Sequence, residues 1–472
     1  MKRYEAVIGL ETHVELKTEE KLLCACSTAY GNMPNTQICP VCLGYPGSMP
    51  ILNQKALTLA MRAGLALGAS IAPVSRMARK HYFYPDLPKA YQVSQGKEPL
   101  CTGGALSFFM DGEVRTVHLH RIHIEEDAGK LLHEGGKTKI DCNRCGVPLI
   151  EIVTLPELHS GKEAALYLKA LRGLMRAVGV SDCRMQEGAL RCDVNVSLRE
   201  AGTSTLGVKT EIKNLNSFRF AEEAINAEIA RQTALLEKGE KVIPVTLRYD
   251  GVRRTLSVMR KKESESDYRF LDEPDLPPIL TSQETVNAIR QSLPELPFSR
   301  EIRYRALGLQ DAHAEALAES EVLSCFFDAV CEKGASAPIA ANLLSSVQKE
   351  LGDKGLPSAR AFAELCDLQS EGCLTQASIR SLLLELLDSD ISPREVAKAR
   401  SLFKITDKAS LRALLLDAVR EKPAPLADAR KGKKNAAAVY LGAVMKKTEG
   451  RADPTVLNLL ITEIINGQDH DA

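Results

Sequence analysis

Strict alternation of apolar and polar residues in several separate segments constrains this chain most, because a period of two sends successive side chains to opposite faces of a strand. In residues 4–16, Ile8, Leu10, Val14 and Leu16 take one face, and Glu11, His13 and Glu15 the other. In residues 190–199, Cys192, Val194, Val196 and Leu198 oppose Arg191, Asp193, Asn195, Ser197 and Arg199. A shorter segment sets Val208, Thr210 and Ile212 against Lys209, Glu211 and Lys213. An antiparallel sheet tolerates one wet face. A single polar strand face is usually plain solvated surface, but recurrence of the same residue types points to a shared site. Such a face holds divalent cations through carboxylates and phosphate through its cations.

The fourth segment is Arg121-Ile122-His123-Ile124-Glu125-Glu126-Asp127-Ala128-Gly129-Lys130. Three adjacent carboxylates repel one another by roughly a kcal/mol or more per close pair unless cations or solvent intervene. Positive charge is therefore expected nearby. Glu151 sits inside the apolar run Pro148 to Val153, where a carboxylate is costly unless paired or metal-bound. A salt bridge to Arg144 and a metal site are both open there.

Cys24, Cys26, Cys39 and Cys42 form two close pairs around a loop, the pattern that tetrahedral structural zinc demands. Cys142 and Cys145 form another C-x-x-C, so a mixed site stays open. Thirteen cysteines are scattered through 472 residues with no secretory leader, a setting in which disulfides are not expected. No apolar run approaches the roughly 20 residues that span a bilayer, and a soluble, cytoplasmic protein is expected. The 61 basic and 61 acidic residues balance, so any nucleic-acid contact must be local.

Helical spacing predicts helices over Gln54 to Leu67, from Ser160, and from Phe218 to Glu237. Arg79 to Asp86 mixes basic and aromatic residues, a cluster able to stack a base and pair with phosphate, although aromatics before a proline turn are often plain core. The proline-rich Glu273 to Pro278 reads as a boundary or a wrapped arm. Beyond about residue 293 strand alternation gives way to alanine- and leucine-rich helix, with a further break at Lys422-Pro423-Ala424-Pro425. Between Arg430 and Lys447 there are six Lys or Arg and no acidic residue. That run is either a solvated face or a phosphate-backbone contact. No P-loop is present, since Leu131 stands where the first glycine before Gly136-Lys137-Thr138 belongs.

Assembled, these segments resemble the B subunits of tRNA-dependent amidotransferases, the GatB family. The resemblance rests on Gly9 to His13, Cys39 to Gly47, Tyr82 to Lys89, His123 to Lys130, Pro148 to Val153, Gln186 to Asn195, Glu211 to Arg219 and Arg451 to Pro454. It implies an α+β fold: an antiparallel-sheet catalytic domain similar to glutamine synthetase and guanido kinases over 1–292, carrying the zinc-like loop 24–42. A helical domain over 293–424 and a YqeY-like helical tail over 425–472 follow. The implied reaction uses ATP and Mg²⁺ to phosphorylate the side-chain carboxylate of Glu-tRNA(Gln) or Asp-tRNA(Asn). Ammonia from a glutaminase A subunit then attacks, within a heterotrimer that includes a small C subunit.

On matching positions, Glu11, His13, Glu125 and Glu211 are expected to serve catalysis and metal binding, joined as metal ligands by Glu126, Glu151 and Asp193. Charge and strand face add Lys80, Arg121, Lys130, Arg191 and Lys213 for phosphate, and the resemblance directs Lys431, Lys433, Lys434, Lys446 and Lys447 to tRNA. Zinc at the four cysteines, absent from many family members, is expected to be structural. Two stretches depart from the family pattern, Phe270 to Asp275 and Ala438 to Gly442. Two other classes fit the residues less completely: a non-catalytic tRNA-binding scaffold, and a kinase-like enzyme for a small carboxylate or guanidino substrate.

Overall fold

The computed structural model describes residues 4–261, 268–351, 355–387, 389–430 and 436–466. The chain divides into two compact units, Met1–Arg300 and Glu301–Ala472.

The first unit is built on a ten-stranded sheet. Its strands in chain order are β1 (Tyr4–Glu15), β2 (Ser70–Ile71), β3 (Cys101–Thr102), β4 (Ala105–Met110), β5 (Glu113–Glu126), β6 (Pro148–Thr154), β7 (Leu190–Glu200), β8 (Thr210–Leu215), β9 (Val245–Asp250) and β10 (Thr255–Lys261). They lie side by side as β10-β9-β8-β7-β1-β6-β5-β3-β2, with β4 also paired to β5. Every segment read from alternation is therefore a strand of one sheet. The expected all-antiparallel arrangement needs one correction, because β8 and β9 are parallel. A helix joins them, and a crossover of that length returns the chain in the same direction.

Alternation also explains which face is apolar. Ile8, Leu10, Val14, Ile122, Ile124, Ile150, Ile152, Val194 and Val196 are all buried in one cluster. Each such side chain contributes about 1.5–3 kcal/mol on leaving water. Three helices close that face: α1 (Gln54–Ala66), α2 (Gly161–Ala177) and α3 (Phe218–Glu237). Asn53 caps α1 and Ser160 caps α2, each accepting from the backbone N–H three residues on. The opposite face is left to the polar residues.

The segment Glu273 to Pro278 is an arm rather than a boundary. Ile279–Leu280 after it pairs with Val74–Ser75, and Arg269–Asp272 before it pairs with Ala78–His81. Arg79 holds it by donating to both oxygens of Glu273, at 2.8 and 2.7 Å, and to Asp275 at 2.9 Å. The unusual stretch Phe270 to Asp275 is thus anchored by a two-pronged ion pair.

The second unit is helical and carries two apolar clusters, one from Tyr304 to Ala397 and one from Leu411 to Ile464. The expected break at 424/425 falls inside the later cluster, where Leu411, Leu415 and Ala418 pack with Tyr440, Val444 and Leu457. The other departure from the family pattern centres on Tyr440, whose buried hydroxyl donates to Lys422 O at 2.6 Å and accepts from Leu426 N–H at 2.8 Å. Tyr440→Phe leaves both backbone groups unpaired, a cost of about 1–3 kcal/mol. Faster amide hydrogen exchange at Leu426, with exchange in the first unit unchanged, is the expected readout.

Candidate active site and cysteine centre

Register, not proximity in sequence, assembles the site. Arg191 on β7 lies opposite His13 on β1, His13 opposite Glu151 on β6, and Glu151 opposite His123 on β5. Glu125 follows His123 by two residues and so joins the same face. The Nε2 of His13 lies 3.4 Å from Glu125 and 3.7 Å from Glu151. The Nε2 of His123 lies 3.1 Å from Glu151 and 3.7 Å from Glu125. Ser94 donates a further hydrogen bond to Glu125 at 3.1 Å.

Two carboxylates and two imidazoles thus stabilise one another's charge. Burial alone would raise both carboxyls, but the histidines outweigh it, holding Glu125 well below the usual carboxylate range and Glu151 below it. Burial likewise disfavours the imidazolium, yet the carboxylates lift His13 and push His123 up to about 9. His13, Glu125 and Glu151 each present a ligand atom within 4.8 Å of the others. Two hard carboxylates and an imidazole suit a divalent cation, whose charge would replace the protons on the rings. The group fits the expected metal.

A second group adjoins it. Glu11 accepts from Asn195 at 2.9 Å, and its carboxyl is raised by burial first and by Glu151 next. Lys213 lies 2.9 Å from Glu211 and 3.1 Å from Asp193. Glu11 and Asp193 face one another across β1 and β7, while Glu211 faces Asn195 from β8. Glu11, Asp193, Glu211 and Lys213 therefore extend the face toward the β8 side.

Glu126 corrects the expectation. Alternation turns it away from Glu125, and it is bound instead by Lys89 and by the Val93 N–H at 2.8 Å. The Arg144 salt bridge left open for Glu151 is also absent from the described contacts, since Arg144 approaches Asp127 at 3.4 Å. Arg191 is committed to Asp127 as well, at 2.6 Å. Lys130 is exposed and joins Arg191, Arg144 and Glu15 around a cavity of about 540 Å³. Arg121 faces Val153 and donates to Gly96 O at 3.1 Å. Lys80 lies over the Tyr268 ring at 4.9 Å, on a smaller sheet. The five cations are thus not one cluster. His123, Ser94 and Asp127 complete the site; His123 and Asp127 were legible from their shared parity with Glu125, and Ser94 was not.

The Sγ atoms of Cys24, Cys26, Cys39 and Cys42 also lie within 4.8 Å of one another, a donor set that fits zinc. Cys142 and Cys145 stand outside that group, and Cys145 instead points its thiol at Asp86 O, 3.6 Å away. Cys42 accepts from the Cys39 N–H at 3.2 Å, and a hydrogen bond from Cys24 is the main cause of its thiol falling to about 5. Of the proposed tRNA contacts, Lys446 and Lys447 are exposed on the helix Ala438–Lys447, with Lys447 paired to Glu421 at 2.7 Å. Lys431, Lys433 and Lys434 lie outside the described residues. Among the described residues no helix is long and apolar enough to cross a membrane.

Comparison with known proteins agrees with this architecture. Residues 6–287 match the GatB/GatE catalytic domain, and residues 325–465 match the GatB domain. The chain belongs to the GatB family. The B subunit of the aspartyl/glutamyl-tRNA(Asn/Gln) amidotransferase of Thermodesulfovibrio yellowstonii is 41% identical over 98% of this chain and 99% of its own length. The protein of the same name from Moorella thermoacetica is 42% identical over the same shares, and that from Brevibacillus brevis 39% over 99% of this chain and all of its own.

Glu151→Gln removes a charge from the cation group without altering its shape. It is expected to weaken Mn²⁺ binding, read by electron paramagnetic resonance, about ten-fold or more, whereas Glu126→Gln leaves that affinity within about two-fold.

Proposed function

We propose that this chain is the B subunit of a tRNA-dependent amidotransferase, a ligase that forms carbon–nitrogen bonds with glutamine as amide donor. The observation that carries the reading is the His13, Glu125 and Glu151 group on a sheet face, in a chain that resembles named B subunits along nearly its whole length. The catalytic unit is read as glutamine synthetase/guanido kinase-like over 1–292, the rest as a helical domain followed by a YqeY-like tail whose core begins at Leu411 rather than at 425, and the compartment as cytoplasm. The partners are an A-subunit glutaminase, a small C subunit and misacylated Glu-tRNA(Gln) or Asp-tRNA(Asn).

A side-chain carboxylate is a poor acceptor for ammonia because oxide would have to leave. An oxygen of that carboxylate attacks the γ-phosphorus of ATP, ADP departs, and the resulting acyl phosphate carries phosphate as its leaving group. Ammonia then attacks the acyl carbon, the C–O bond to phosphate breaks, and the nitrogen gives up a proton to leave the amide. A divalent cation, Mg²⁺ on this reading, would supply positive charge that offsets the repulsion between the two reacting anions. His13, Glu125 and Glu151 would hold it, with Glu11, Asp193 and Glu211 beside them. Lys213 and Arg191 supply positive charge along the same face, and Lys80, Arg121 and Lys130 supply it at its margins. Zinc at Cys24, Cys26, Cys39 and Cys42 serves the fold.

Phosphate release from ATP by the assembled complex tests the kinase site. Release should require misacylated tRNA, and Glu125→Gln and Glu211→Gln should each abolish it while tRNA binding is retained. Normal turnover in both variants would make the acidic face structural, and the chain a scaffold. A tRNA contact by the basic tail predicts that Lys446→Ala weakens tRNA binding and reduces the salt slope by about one. An unchanged slope would exclude Lys446 from the contact.

A further inference from the structure

We propose that Lys21 is the built-in counter-charge of the four-cysteine centre, making the metal site a unit of four thiolates and one buried ammonium. The inference rests on the zinc reading above.

Lys21 is 1% exposed, and an ammonium removed from water is costly without compensation. Its Nζ donates to Gln37 O at 2.7 Å and to Cys142 O at 3.4 Å, and it reaches Cys42 Sγ at 3.8 Å. Carbonyl oxygens satisfy the N–H groups but carry no net charge to offset the cation. Four thiolates around one divalent zinc leave an excess of two negative charges, half sunk in protein. The lysine and the thiolate cluster therefore each supply what the other lacks.

The backbone around the lysine is tied to the same loop. Its own N–H donates to Cys26 O at 3.0 Å, and the next residue, Leu22, donates to Gly146 O at 2.8 Å. Gly146 has φ +83°, and a Cβ there would meet Lys21 Cδ at 3.5 Å, Cys42 Cβ at 3.7 Å and Glu126 Oε2 at 3.7 Å. Lys21 thus passes Gly146, whose own N–H donates to Asp127 O at 2.9 Å, on its way to Cys42.

Competition of the full chain against a chromophoric zinc chelator tests this, with zinc content measured in parallel. Wild type should hold one zinc per chain. Lys21→Met should bind zinc about ten- to hundred-fold more weakly, the usual range for loss of a group that supports metal ligands. Lys21→Gln keeps a donor for the two carbonyls without the charge and should show the same loss. In a Cys24→His background, where one thiolate charge is gone, Lys21→Met should cost several-fold less. Unchanged affinity in both single variants, affinity retained by Lys21→Gln alone, or an equal loss in both backgrounds would assign Lys21 to packing or hydrogen bonding and overturn the proposal. A wild-type chain without zinc would instead overturn the zinc reading, and the counter-charge with it.

Discussion

Compensation of buried carboxylate charge governs this structure. Glu125 is 2% exposed, and His13 and His123, which both aim Nε2 at it and at Glu151, favour its ionised form against the cost of burial. Removing an ion from water costs several kcal/mol even after the protein relaxes. The pairing must therefore be held in place, which three strands in fixed register achieve. A one-residue slip of β1 against β6 would send His13 into the apolar cluster and bring Val14 to Glu151. The hydrophobic face and the site consequently specify the same register, and neither can be altered alone.

Support from behind the sheet follows the same logic. Glu126, on the far side from Glu125, would be an unpaired buried charge without Lys89 and the Val93 N–H. Lys89 in turn packs over Gly44, the left-handed residue that ends the short helix Pro40–Leu43 carrying Cys42, and its side chain occupies the space a Cβ would need. The cysteine loop therefore lies against the residues that fix the β5 terminus.

Period-two alternation made the strands of the polar face and its apolar reverse readable from the sequence, because the buried set repeats through β1 and β7 with only Val7 and Ser197 out of phase. Boundaries set by local chemistry were readable too, as at Asn53 and Ser160. What alternation cannot supply is which strand neighbours which, so the meeting of His13 with Glu151 and of Arg191 with Asp127 had no signature in the sequence. The run Glu125-Glu126-Asp127 invited a single acidic cluster, although parity already assigned Glu126 to the opposite side. Lys80, Arg121 and Lys130 carry the right charge, but selection by charge alone says nothing about which of them share a surface. The break at 422–425 marked a turn between helices correctly, yet a turn is not a domain boundary when Leu411 and Leu457 share one core.

The polar face offsets much, though not all, of its own charge, since Glu11 is partnered by the neutral Asn195 amide and a single Lys213 serves two carboxylates. Glu125 and Glu151 are matched by two histidines, Glu211 and Asp193 by Lys213, and Asp127 by Arg191 and Arg144. A divalent cation arriving alone must displace protons from the rings or leave an excess of positive charge, and a triphosphate arriving alone meets carboxylates at close range. Arriving together, they bring opposite charges that offset one another. On the function proposed above, the face would therefore take a metal–nucleotide complex more readily than either component.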